Sequence, residues 1–158
     1  MPDAQKFLLI ISRDALLSAL QGDPGGSLLR MLATLGRGGT RVILTAPEPD
    51  RWVPTRRNVD QALIDQQRLT RDVRAAGGEL DGVYYVARSL LTQDRNRLGA
   101  LEDLLQRYGL PASEALLVSA SAPFLKAAES LGIATRAVAG PGKEGGGVAE
   151  ALASLLNA

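Results

Sequence analysis

Five short apolar runs, separated by longer amphipathic segments, constrain this 158-residue chain more than anything else in it. The runs are FLLII (7–11), RVILT (41–45), GVYYV (82–86), ALLVS (115–119) and the weaker IATRAV (133–138). Most lack the in–out alternation of a half-exposed strand, and continuous apolar runs of this length are what strands covered on both faces require. Between them, helical periodicity is predicted over 26–36, 58–76, 97–108, 122–131 and 147–157. In the second helix Val59, Leu63, Gln66, Leu69 and Val73 share a face, Asp60 and Asp65 sit early, and Gly77-Gly78 reads as a C-cap. In the third, Leu98, Leu101, Leu104, Leu105 and Tyr108 recur at three and four before Gly109 and Pro111 stop the helix. Strand–helix units in succession imply an α/β fold: a doubly wound, three-layer α/β/α sandwich with a mainly parallel five-stranded sheet, Rossmann-like, in one domain with right-handed crossovers.

Composition narrows the chemistry. The chain has no cysteine and no histidine. Disulfides, thiolate metal sites, the commonest zinc ligand and the commonest general base are therefore all absent, and with them the Ser-His-Asp and Cys-His arrangements. Eighteen basic and seventeen acidic residues leave a formal charge of +1, which supplies little of the field that nucleic acid or an anionic membrane surface exploits. The expected partner is a protein or a phosphorylated small molecule, with neither nucleic acid nor membrane. The N-terminal MPDAQKFLLIISRD has an apolar run too short for a signal peptide or a membrane span, so a cytoplasmic location is expected. The stretch GPGKEGGG (140–147) is a connector rather than a phosphate loop, because the spacing G-x-x-x-x-G-K-[ST] fails at Ala137 and Glu144.

Ligands of a doubly wound sheet bind beyond the carboxyl ends of its strands. The residues to inspect are therefore Ser12-Arg13-Asp14-Ala15, Thr45-Ala46, Arg88 through Arg97, and Ser119-Ala120-Ser121. At these positions, from Lys6 to about Gly140, the chain resembles the capless haloacid dehalogenase-like phosphatases, in particular the branch with heptose bisphosphate and histidinol phosphate phosphatases. That family follows its first strand with D-x-D-G-[TV], a nucleophile and then an acid/base. Here the stretch is Ser12-Arg13-Asp14-Ala15-Leu16, with serine at the nucleophile position and Asp14 retained. The family's Thr-Asn-Gln corresponds to Thr45-Ala46-Pro47, which keeps the phosphate-binding hydroxyl. Its Tyr-Tyr-Cys-Pro-His, which opens a zinc loop, corresponds to Tyr84-Tyr85-Val86-Ala87-Arg88. Arg95 stands where the family has a phosphate-binding lysine, and Val-Gly-Asp-Ser-x-x-Asp, the magnesium motif, becomes Val118 through Phe124 with neither carboxylate. Ala127-Ala128 and Leu131-Gly132-Ile133 match the helix ending that follows.

The resemblance implies a catalytic pair reduced to Ser12 and Asp14, phosphate contacts from Thr45 and Arg95, and no magnesium or zinc cofactor. A hard cation takes several oxygen ligands, and serine has no histidine to activate it. The expectation is a pseudo-phosphatase with a binding, regulatory or scaffolding role. Two alternatives stay open: a phosphohydrolase of a phosphorylated sugar or histidinol phosphate that uses Ser12 and Asp14, and a phosphosugar sensor built on Thr45 and Arg95. The plainer reading makes Ser12, Ser119 and Ser121 caps of strand ends and helices. The segment 47–57, PEPDRWVPTRR, gathers Arg51, Arg56 and Arg57 around the single tryptophan, Trp52, as a possible partner surface.

Overall fold

The computed structural model describes residues 7–21, 26–47, 56–86, 93–138 and 147–156, with the side chains of 14, 47, 56–63, 85, 86 and 93–96 outside that set. Strand β1 (Phe7–Ser12) leads into helix α1 (Arg13–Gln21) and then α2 (Ser27–Arg37). After them come β2 (Thr40–Pro47), α3 (Arg56–Ala75), β3 (Gly82–Val86) and α4 (Gln93–Tyr108). A 3-10 turn (Ala112–Glu114) precedes β4 (Ala115–Ser119), α5 (Ala122–Leu131), β5 (Ala134–Ala137) and α6 (Val148–Leu156).

The sheet is parallel throughout, in the order β3-β2-β1-β4-β5. The chain winds outward from β1 to β3 and then returns to place β4 on the other side of β1. The order of strands therefore reverses between β1 and β4, the switch point at which such sheets open a crevice. Alternation within the strands divides the core. Leu9, Ile11, Val42, Leu44, Leu116 and Val118 face one layer, where α1, α2, α3 and α6 contribute Leu16, Leu32, Leu69, Val73 and Leu152. Leu8, Ile10, Ile43, Ala115 and Leu117 face the other, which α4 and α5 cover with Leu101, Leu104, Phe124 and Ala128. This is the expected doubly wound α/β sandwich, and among the described residues no separate cap stands over it.

Three helix endings follow from glycine. Gly77, Gly109 and Gly132 have φ of 93°, 63° and 88°, a region that a side chain disfavours. The next amide in each case turns back onto the helix: Gly78 N–H to the Val73 carbonyl at 2.9 Å, Leu110 to Leu105 at 3.1 Å and Ile133 to Ala128 at 3.0 Å. These are the C-terminal stops expected at 77–78 and 109, joined by one at 132.

Three expectations need correction. The chain after Ser12 is a helix, α1, in a stretch where no helix was expected; a nine-residue helix with apolar Ala15 and Leu16 on its buried side is too short to advertise itself by period. Helix α3 begins at Arg56, so Asp60 lies a turn inside it and the first turn holds no acid. Strand β5 is not buried on both faces: Ala134, Arg136 and Ala137 are exposed, because it forms the edge beyond β4 and Ile133, the large apolar residue of the run, falls just before it.

Glycine positions supply a test with two signs. A Cβ on Gly78 would lie 3.0 Å from the Ala33 Cα, where α2 and the end of α3 approach. Gly78→Ala is expected to destabilise by about 1–3 kcal/mol through overpacking. Gly36, in the exposed last turn of α2, would place its Cβ in open space, and Gly36→Ala is expected to stabilise by about 0.5–1 kcal/mol. Urea unfolding followed by circular dichroism reads both.

Candidate functional site

The carboxyl ends of the three central strands carry hydroxyls. Ser12 ends β1, Ser119 ends β4, and Thr45 lies near the end of β2 opposite Ser12 in the parallel register. Thr45 and Ser119 are the two buried polar residues among those described, at 5% and 3% exposure.

Each serine has a local task. Ser12 Oγ accepts a hydrogen bond from the Ala15 amide at 3.3 Å, which places it as the N-cap of α1. Ser119 Oγ accepts from the Ser121 amide at 3.1 Å. Ser121 Oγ in turn accepts from the Phe124 amide at 3.4 Å and caps α5, with Pro123 in the first turn. Helices α1 and α5 thus start from the sheet's carboxyl edge with their first amides answered by serine oxygens. The plainer reading of these serines holds.

Arg13, the first residue of α1, reaches across to α3, where its guanidinium donates to Gln66 Oε1 at 3.2 Å. This explains a polar residue on the inner stripe of α3. Below it, Leu69 and Val73 are buried as their spacing requires. The Arg13–Gln66 link was not legible in the sequence, since the partners lie 53 residues apart and nothing in either segment signals the other.

Tyr84 sits opposite Thr45 on β3 and is committed to α4. Its hydroxyl donates to Asp103 Oδ2 at 2.9 Å, Arg107 pairs with the same carboxylate oxygen at 3.2 Å, and the guanidinium lies 5.5 Å from the centre of the tyrosine ring. Burial, then the Asp103 carboxylate, raises the Tyr84 pKa above its ordinary value against the opposing pull of Arg107.

The remaining predicted residues are placed only in part. Asp14 lies in α1, Arg95 in α4, and Arg56 and Arg57 open α3, but their side chains are outside the described set. Arg51 and Trp52 lie outside it altogether. Leu16 and Phe124 are both buried, in the opposite core layers on either side of the sheet.

A magnesium ion needs several oxygen ligands in near-octahedral array, carboxylates foremost. The described side chains at the ends of β1, β2 and β4 are neutral hydroxyls, and among the described residues no three acidic groups converge on one point. The described side chains at these three strand ends offer the ion no carboxylate. A hollow of about 240 Å³ opens at the other end of the sheet beside Arg37, Arg41, Gly77, Glu79 and Asp81. There Asp81 accepts from the Val42 amide at 2.7 Å and pairs with Arg41 at 3.2 Å, which fastens the start of β2. Among the described residues no helix is long and apolar enough to cross a membrane.

No family model and no curated protein matches the sequence. Solved structures do. The D,D-heptose 1,7-bisphosphate phosphatase of B. bronchiseptica, complexed with magnesium and phosphate, is 19% identical, with 96% of this chain and 99% of that one covered and a TM-score of 0.66. An uncharacterised protein from Corynebacterium glutamicum is 15% identical over 95% and 92% of the two chains, with a TM-score of 0.61. The D,D-heptose 1,7-bisphosphate phosphatase of Burkholderia thailandensis is 19% identical over 94% and 85%, with a TM-score of 0.57. At these identities the likeness is one of fold: the chain has the haloacid dehalogenase-like α/β fold.

Two measurements test the site's construction. Ser12→Ala is expected to lower stability by about 1 kcal/mol through loss of the α1 cap, read by urea unfolding. For Tyr84 the folded pKa lies above the unfolded one, so its contribution is complete below the unfolded value and is lost as pH rises through the folded value. Unfolding midpoints should therefore fall more steeply above about pH 10 in the wild type than in Tyr84→Phe.

Proposed function

We propose that this protein is a haloacid dehalogenase-like pseudo-phosphatase, a binding, regulatory or scaffolding protein that does not hydrolyse phosphate esters. The observation that carries the reading is Phe124. The resemblance puts a metal-binding carboxylate at this position, and the side chain is instead 7% exposed and packed among Leu8, Ile10, Leu101, Leu104 and Ala128. A residue that completes a core is not available to a cation. Ala120, at the position of the other carboxylate, has no donor, and Ser12 already accepts the Ala15 amide. In-line phosphoryl transfer depends on a charge clamp and an aligned nucleophile, and neither is supported by these residues.

The same reading takes the chain as one domain over residues 1–158 with no metal cofactor. Its partner is a protein or a phosphorylated small molecule in the cytoplasm, with neither nucleic acid nor membrane involved. Arg51, Trp52, Arg56 and Arg57 form the partner surface, and Thr45 with Arg95 forms the phosphate contact.

The test is phosphate release by the purified protein, with and without magnesium, across substrates that include heptose bisphosphate and histidinol phosphate. Release no greater than that of Ser12→Ala and Asp14→Asn is expected. Magnesium-dependent release that either substitution abolishes would overturn the proposal in favour of a hydrolase built on Ser12 and Asp14. Ser12→Asp alone is expected to stay inactive, because it restores a nucleophile without restoring the carboxylates at Ala120 and Phe124.

A further inference from the structure

An open parallel sheet has two edges, and the edges of this one differ. The strand order leaves β3 and β5 outermost. The β5 edge is four residues long and carries the exposed Arg136, a charge of the kind that blunts an edge against further pairing. The β3 edge is Gly82-Val83-Tyr84-Tyr85-Val86, with neither charge nor proline, and valine and tyrosine are among the residues that strands favour most.

Strand β3 pairs with β2 on one side, from Ile43 with Gly82 to Pro47 with Val86. On its other side an edge strand turns a row of amides and carbonyls outward. Among the described residues, those of Gly82, Val83 and Tyr84 have no partner on that side, and all three residues are half-buried rather than enclosed. The Tyr84 hydroxyl is engaged by Asp103 and supplies nothing to the edge. The charge that flanks the strand, Asp81, is already paired with Arg41. A row of donors and acceptors at strand spacing is answered by another strand.

The sequence of the edge selects the occupant. Val83-Tyr84-Tyr85-Val86 reads the same in both directions. An antiparallel ladder between two copies, centred between Tyr84 and Tyr85, sets each Val83 opposite a Val86 and each Tyr84 opposite a Tyr85, and such aromatic and β-branched pairs stabilise antiparallel ladders. No like charges meet in it, because residues 82–86 carry none. The contact is isologous and closes about a two-fold axis. We infer that the outer edge of β3 is a self-association surface, through which two copies of this chain join their five-stranded sheets into one continuous sheet. The blunt β5 edge then stands at both ends of that sheet, which stops growth at two copies. The inference is independent of whether the chain hydrolyses phosphate esters.

Sedimentation equilibrium of the full chain, with hydrogen exchange of single amides followed by NMR on the same samples, tests it. A monomer–dimer equilibrium is expected, and the outward amides of residues 82–84 should exchange more slowly as the dimer fraction rises. Gly82→Lys puts a charge on the edge where an added Cβ would lie 3.9 Å from the Ile43 side chain, an ordinary contact, and is expected to weaken dimerisation about tenfold. Val83→Lys, inside the ladder, is expected to abolish it. Ala137→Lys, on the exposed β5 edge, should leave it unchanged. A chain that stays monomeric at every concentration would leave this edge to a different protein and overturn the proposal. So would wild-type dimerisation in Gly82→Lys and Val83→Lys with intact circular dichroism spectra, or dissociation by Ala137→Lys alone. Should both lysine variants fail to fold, the exchange data on the wild type decide: a dimer whose amides at 82–84 exchange as they do in the monomer pairs elsewhere, and the proposal falls.

Discussion

The burial of β1 on both faces organises the rest of the molecule. Leu8, Leu9, Ile10 and Ile11 are all fully enclosed, two toward each layer. A strand so placed must have partners on both edges and helices above and below, since its amides and carbonyls cannot be left to water. Strands β2 and β4 answer the first need and the two helical layers the second. Burying one leucine or isoleucine contributes about 1.5–3 kcal/mol, so these four residues alone secure the centre of the sheet. They also fix where its carboxyl edge falls, with Ser12 the first position at which the strand is free to end.

Much of this was written in the residues. Continuous apolar runs declared the five strands, and the stripes of 58–76 and 97–108 declared two of the helices, down to their glycine stops. Helix α1 was not, because its nine residues begin with a charged pair that reads as a turn and its apolar side blends into the run before it. Strand β5 misled in the opposite direction, since Ile133 looked like part of the strand and is instead a core residue at the mouth of the preceding turn. Edge position is a property of the order of strands, and no local pattern encodes it.

The site divides along the same line. That Ser12, Thr45 and Ser119 lie at strand ends follows from where each apolar run stops. That they face the same way follows from register, which is set by packing against two core layers and could not be read from any one strand. The roles of Ser119 and Ser121 as caps were legible from their place before an apolar helix. The engagement of Gln66 by Arg13 was not, although a glutamine on an otherwise apolar stripe was the one hint that something polar had to meet it.

The exposed edge at β5 carries a consequence for the behaviour of the protein in crowded solution. An unpaired strand edge is a template on which a second chain can add, and long apolar edges are where sheet proteins aggregate. Here the edge is four residues long, bears the exposed Arg136, and has Thr135 turned to hydrogen-bond with Glu129 of α5. A guanidinium on so short a segment makes stacking of sheets edge to edge unfavourable. Among the described residues, β5 is therefore an edge that offers a second sheet little to pair with.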